Sequence, residues 1–229
     1  MTKRTGPAEK RRIPLDRERV LRAAIDLADT GGLEALSMRR LGRALGVEAM
    51  SLYNHVSGKD EILDGIVDLI VGDIDVAESA VDWKTAMRQR AISMRKTFVR
   101  HPWALGLMES RRSAGPATLR YFNAVLDVLR RADFSAVLAV RAFSILDSYA
   151  YGYILQEKNL PSGSGTESRE ATQQFLSQLP AEEYPRLAEA AVDVMMTSGF
   201  DYAKEYELGL DLILEALESR RGKKSRVRI

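Results

Sequence analysis

Between Arg39 and Lys59 the sequence gathers hydrogen-bond donors of several kinds: the guanidinium groups of Arg39, Arg40 and Arg43, the hydroxyls of Ser51 and Tyr53, the amide of Asn54, the imidazole of His55 and the ammonium of Lys59. Presented on one surface, such a set suits a polyanion whose edges can also be read. Hydroxyl, imidazole and ammonium donors bond phosphate oxygens and set register, and a guanidinium can grip a guanine edge at two points. A lone Tyr or His at a helix end packs into a bundle as readily as it binds, so the inference depends on what brings these donors together.

Covalent and metal chemistry have little to work with. The absence of cysteine removes thiol nucleophiles, disulfides and thiolate metal sites at once, and fits a reducing, cytoplasmic setting. No glycine-rich phosphate loop, nucleophile elbow or His-Glu-x-x-His pair is present. Two histidines, His55 and His101, are too few for a histidine-based metal site, and the carboxylates lack the loop spacing of a magnesium or calcium site. We therefore expect no enzyme, no metal and no cofactor. Arg141 interrupts the best apolar run, Phe134 to Leu155, and polar residues follow Met1, so neither a membrane span nor a secretory leader is expected.

The elements that must hold the donors are helices. Charge is uneven: residues 1–60 carry 12 basic and 8 acidic residues, residues 61–219 carry 16 and 24, and residues 220–229 carry 6 and none. A basic end beside an acidic body suits a polyanion-binding module on a non-binding core, although a solvated surface with a frayed tail has the same charges. Residues 1–13 read as a flexible basic arm and 222–229 as a basic tail. Val20, Ala24, Leu27 and Ala28 recur at helical spacing from Asp16 to Gly31-Gly32. Ser37 can cap a short second helix closed by Gly46, and a third runs from near Glu48 to His55 or Val56. Leu41, Leu45, Val47, Leu52 and Val56 have the spacing of a small core behind that pair. From Ser57-Gly58-Lys59-Asp60 a fourth helix carries Ile62, Ile66, Leu69, Ile70 and Ile74 on one stripe. Further helices are predicted over 81–100, 102–111, 116–131, 134–160, 171–178, 181–197 and 205–221, with a mobile loop at about 161–170 and no strand. The fold class is all-α: an N-terminal three-helix helix-turn-helix domain over 14–60 and a C-terminal helical domain over 61–221.

The run from Ser37 through Leu45-Gly46-Val47 to Leu52-Tyr53-Asn54-His55, with Lys59 just beyond, resembles the DNA-binding signature of the TetR family, and Pro14-Leu15-Asp16-Arg17 extends the likeness. The C-terminal layout is similar to the tetracycline-repressor branch. This resemblance implies a homodimer on palindromic double-stranded operator DNA, released by a small molecule. It implies DNA contacts from Ser37, Arg39, Arg40, Glu48, Ala49, Met50, Ser51, Tyr53, Asn54, His55 and Lys59, with Arg39 as the guanine reader and Ser51, Tyr53, His55 and Lys59 mainly on phosphates. Ala49 and Met50 replace the glutamine and proline of that branch, so the operator should differ. Gly42 replaces a usual alanine, which allows close helix approach at about 1 kcal/mol of helix propensity.

The resemblance further implies a ligand pocket between residues 81 and 160, where Trp83, Met87, Met94, Phe98, Trp103, Met108, Phe122, Phe143 and Tyr149 are the candidates. Met and aromatic residues at this spacing serve equally as plain core. Ile74 or Asp75 and Met108 fall where the branch holds a magnesium-drug chelate with histidines, which argues against tetracycline itself. Phe134–Leu160 and Glu205–Arg221 would pair with their two-fold mates through Tyr153, Leu210, Ile213, Leu214 and Leu217, or else form an intrachain core. A regulator of this fold without an inducer, and a helical-bundle enzyme, are the competing readings.

Overall fold

Asp16 opens the first helix by accepting a hydrogen bond from the Arg19 N–H at 2.8 Å. In the computed structural model, which describes residues 14–77, 82–111, 114–159, 170, 173–174, 176–193 and 201–222, this helix is α1 (Arg17–Gly31). It ends where Gly32 adopts φ 71° and its N–H bonds Ala28 O at 2.8 Å, a left-handed φ that glycine takes at little cost. A 3-10 turn over Leu33–Ala35, not expected from periodicity, follows and tucks Ala35 and Leu36 into the core. Helix α2 (Met38–Leu45) is capped by Ser37, α3 is the single turn Ala49–Leu52, and α4 spans Lys59–Gly72. Val20, Leu21, Ala24, Ala28, Leu41, Leu52, Val56, Ile62 and Ile66 form the N-terminal core. Gly65 lets α4 lie close on α1, since a Cβ there would come within 2.8 Å of both Leu21 methyls.

Packing divides the chain into two units, residues 1–66 and 67–229, so the boundary falls inside α4. The second unit contains α5 (Trp83–Arg100), α6 (Ala104–Ser110), α7 (Pro116–Arg131), α8 (Ala136–Asn159), α9 (Pro185–Ala190) and α10 (Tyr202–Glu218). Helix α8 packs on α5, α7 and α10. Tyr149 and Tyr206 stack with centroids 5.5 Å apart, and three phenols donate to backbone carbonyls: Tyr149 to Tyr206 at 2.8 Å, Tyr153 to Tyr202 at 2.9 Å and Tyr206 to Ala91 at 2.9 Å. No strand occurs among the described residues, and none of their helices is long and apolar enough to cross a membrane.

Several boundaries differ from expectation for local reasons. The helix expected over 181–197 starts only at Pro185, whose missing N–H and fixed φ favour a first helical position; Thr197 lies outside the described residues. Helix α8 starts two residues late because Asp133 takes φ 62° and the Phe134 N–H still bonds Leu129 O. Asp201 starts α10 three residues early by accepting from the Ala203 and Lys204 N–H groups. The basic arm 1–13, residues 161–169 of the predicted loop and residues 223–229 of the tail lie outside the described residues.

Candidate nucleic-acid interface and internal cavity

The short helix pair begins with Ser37, whose Oγ accepts from the Arg40 N–H at 3.3 Å and fixes the first turn of α2. Its end is a Schellman arrangement: Gly46 is left-handed at φ 69°, its N–H bonds Arg43 O at 3.2 Å, and the Val47 N–H bonds Gly42 O at 2.9 Å. The chain then reverses into α3. A Cβ on Gly42 would stand 2.9 Å from Val47 O and 3.2 Å from Ala49 Cα, so the turn between the helices requires the glycine that costs α2 helix propensity.

Helix α3 is shorter than predicted. After Leu52 the backbone tightens to i→i+3 bonds, from the Tyr53 N–H to Met50 O at 3.2 Å and from the His55 N–H to Leu52 O at 2.9 Å. Leu41, Leu52 and Val56 are buried, whereas Leu45 and Val47 are half-buried. That division leaves Ser37, Arg39, Arg40, Glu48, Met50, Tyr53, Asn54 and Lys59 exposed, with Ala49, Ser51 and His55 half-buried. Met50 is 75 % and Tyr53 47 % exposed, unusual for side chains this large. Arg39, Arg43 and Lys59 make no ion pair among the described residues. Behind this face Glu61 accepts from the Ser57 N–H at 2.7 Å and from Arg17 Nε at 3.1 Å, bonds that hold its carboxyl below the usual range, the Ser57 bond most of all.

Within the second unit a cavity of about 340 Å³ lies between α4, α5, α6, α7 and α8. Its apolar wall is Val67 and Val71 of the second half of α4 and Ile74 just beyond it, with Met94, Met108, Ala114 and Phe122; its polar wall is Arg111, Thr118, Tyr121, Asp147 and Tyr151. Of the pocket candidates, Met94, Met108 and Phe122 line it. Met87 and Phe98 are buried in the core, Trp103 packs edge-on against His101, Phe143 stacks edge-on against Phe122 from behind, Tyr149 belongs to the tyrosine stack, and Trp83 meets Phe134 and donates to Glu218 at 2.8 Å.

Arg90 organises the polar end. It is 0 % exposed; its Nε donates to the Tyr121 phenol oxygen at 2.7 Å, its Nη2 pairs with Asp147 Oδ1, and its guanidinium lies 5.2 Å from the Tyr121 and Phe143 ring centres. Burial pushes the Tyr121 phenol up to about 12, against the pull of Arg90, and likewise raises the Asp147 carboxyl. Arg90, Asp147, Tyr121, Tyr151 and the α4 residues escaped sequence reasoning. The available signal was an acid, Asp147, placed four residues from both Phe143 and Tyr151 and the one charged residue between Arg141 and Glu157. Asp68 ties α4 to α7: its carboxylate accepts from the Ala117 and Thr118 N–H groups at 3.1 and 2.8 Å and from the Thr118 hydroxyl at 2.9 Å.

Leu210, Leu214 and Leu217, expected at a dimer interface, are buried within this chain's own core because α10 turns that stripe toward α5 and α8. Ile213 and Tyr153 are half-buried. The opposite side of α10 exposes Leu208 and Leu212, and α8 exposes Val137, Val140, Ile145 and Leu155. Among the described residues no cluster of three or more His, Cys, Asp or Glu could hold a metal ion.

A capped helix, a glycine turn and a one-turn helix, with exposed donors on the first helix and just beyond the second, define a helix-turn-helix module, here joined to a larger helical unit with an internal cavity. Residues 20–66 match the tetR family of bacterial regulatory proteins, and residues 77–221 match the tetracyclin repressor-like C-terminal domain. The HTH-type transcriptional repressor DrrR1 of Streptomyces coeruleorubidus is 30 % identical over 88 % of this chain and 76 % of its own length. The class A tetracycline repressor protein from transposon 1721 of Escherichia coli is 29 % identical over 88 % and 90 %. The crystal structure of the Streptomyces coelicolor TetR family protein ActR in complex with actinorhodin superposes with a TM-score of 0.75 at 28 % identity, covering 92 % of this chain and all of that one. The chain belongs to the TetR family and is a DNA-binding transcriptional regulator.

Proposed function

We propose that this regulator is a cytoplasmic, homodimeric repressor without catalytic activity, which holds a two-fold operator through residues 37–59 and leaves it when a small, largely apolar molecule enters the cavity. The observation that carries the reading is the composition of α4. Its first half supplies Ile62 and Ile66 to the core behind the helix-turn-helix, and its second half supplies Val67 and Val71 to the cavity wall. A ligand that displaces the second half, against the Asp68 bonds to α7, acts on the same helix whose first half packs behind the DNA-facing helices. Successive major grooves lie about 34 Å apart, so a few ångströms of change between two such modules would mismatch the half-sites.

ActR, solved with actinorhodin, and DrrR1, named a repressor, support this reading by similarity. Leu208 and Leu212 of α10, with Val140 and Leu155 of α8, are the exposed apolar residues we assign to the dimer contact. With Ile74 and Met108 in the wall, the cavity does not suit a histidine-held magnesium chelate. A gel shift at fixed salt on a duplex taken from upstream of its own coding region tests DNA binding. Compounds that raise the melting temperature in a thermal-shift screen then test release. Retention of that duplex at saturating concentrations of every stabilising compound would refute release by a ligand.

A further inference from the structure

Asp147 and Tyr121 present one free acceptor and one free donor, held by the same guanidinium, in a cavity wall that also holds Arg111, Thr118 and Tyr151. Asp147 Oδ1 is taken by Arg90 Nη2, while Oδ2 makes no hydrogen bond among the described residues and the side chain, 21 % exposed, lines the cavity. The Tyr121 oxygen accepts from Arg90 Nε, which leaves its own proton to give, and a phenol keeps that proton at physiological pH. The other hydroxyls in the wall are occupied: Thr118 donates to Asp68 Oδ1 at 2.9 Å and Tyr151 donates to Met108 Sδ at 3.0 Å. Arg90 and Asp147 together carry no net charge, and the side chain of Arg90 is only 1 % exposed.

On the reading of the cavity as the regulatory site, we infer that Asp147 and Tyr121 are its specificity-determining residues and select a neutral apolar ligand bearing a hydroxyl group. The hydroxyl donates to Asp147 Oδ2 and accepts from the Tyr121 O–H. An acid in that place would bring its negative charge against the Asp147 carboxylate. An ammonium could bond Asp147, but it would sit beside the buried Arg90 guanidinium and find no acceptor at Tyr121, whose oxygen is already taken. A plain hydrocarbon would strip water from Oδ2 and return no hydrogen bond, and a buried charged acceptor left unpaired is costly. The apolar part of the wall, with Met94, Met108, Phe122 and Val71, supplies contact area without discrimination.

The test is calorimetric titration of the full-length protein with four probes of one bicyclic shape: naphthalene, 2-naphthol, 2-naphthoate and 2-naphthylmethylammonium. Naphthol is expected to bind roughly 10- to 100-fold more tightly than naphthalene, the range of a hydrogen bond to a charged group, and both ions more weakly than naphthol. Asp147→Leu alone strands Arg90, so the informative variant pairs Arg90→Met with Asp147→Leu, a replacement that buried ion pairs commonly tolerate. In that variant, shown folded by its unfolding transition, naphthalene should still bind and the naphthol preference should fall to within about threefold, the size of one remaining neutral bond. Tyr121→Phe should lower naphthol affinity by roughly threefold to tenfold and leave naphthalene unchanged. A naphthol preference that survives the double replacement overturns the assignment and leaves the cavity reading standing, as does equal binding of all four probes. No binding by any of the four overturns both.

Discussion

On the helix-turn-helix, Arg39, Arg43 and Lys59 stand in solvent without a carboxylate partner among the described residues, while along α5 of the second unit Lys84, Arg88, Arg90 and Arg95 each meet an acid on another helix. The partners are Glu215 and Asp211 on α10 and Asp147 and Glu157 on α8. The same residue types serve two ends. Cations paired across helices neutralise themselves and fix α5 against its neighbours, contributing nothing to a distant field. Cations left unpaired keep their charge for a partner outside the chain, at no cost to the fold. Overall charge, close to balance at +2, hides this difference.

The contrast breaks most visibly at Arg90. Replacing it with Leu leaves the largely buried Asp147 carboxylate alone, and breaking a buried pair in this way is expected to cost about 3 to 5 kcal/mol in urea unfolding. Replacing Lys84, whose partner Glu215 is 71 % exposed, should cost about 0 to 1 kcal/mol by the same measurement. Equal losses at both positions would mean that burial does not set the value of these pairs.

The next effect lies in the other unit and in another observable. Arg39→Ala combined with Lys59→Ala should leave unfolding within about 0.5 kcal/mol of the wild type, because neither side chain has an ion-pair partner among the described residues to lose. The slope of log binding constant against log salt should fall by about 1.8 if both contact phosphate in the complex. If Arg39 grips a guanine instead, the slope falls by about half as much and discrimination against a changed base drops by roughly 1 to 3 kcal/mol. Titrations over a salt series, on the operator and on one substituted duplex, separate the two.

How far this was legible follows from the range of each interaction. The capped short helices, the Gly46 reversal and the exposed donors were readable because each depends on residues a few positions apart: Ser37 with Arg40, Gly42 with Val47, Leu52 with Val56. The cavity was not, because its polar end joins Arg90, Tyr121 and Asp147 from three helices, and no local spacing links them. Periodicity also found the apolar stripe of α10 without its direction. Leu210, Leu214 and Leu217 read from sequence as either an interface or an intrachain core, and in the fold α5 and α8 cover them. Only the packing partner decides which stripe faces inward. Likewise the 3-10 turn at Leu33–Ala35 arises from burying Ala35 and Leu36, a tertiary demand that the local glycines permit but do not specify.

The smallest expected effect concerns a charge in the first unit that does work for the fold. Glu61 joins α4 to α1 through Arg17 Nε at 3.1 Å and closes the entry to α4 through the Ser57 N–H at 2.7 Å. Gln at this position keeps an acceptor for Ser57 and removes only the charge. Because the folded-state carboxyl is held below its ordinary value of 4.5, its contribution is fully present above that value and disappears as the pH falls through the folded one. Glu61→Gln should therefore lower the melting temperature by an amount corresponding to a few tenths of a kcal/mol at pH 7, since Arg17 is 53 % exposed and solvent screens the pair. That difference should stay level down to pH 5 and close in more acid buffer. A gap that persists unchanged at pH 3 would assign the loss to shape rather than charge, and would remove Glu61 from the comparison between cations that bind outward and cations that bind the chain itself.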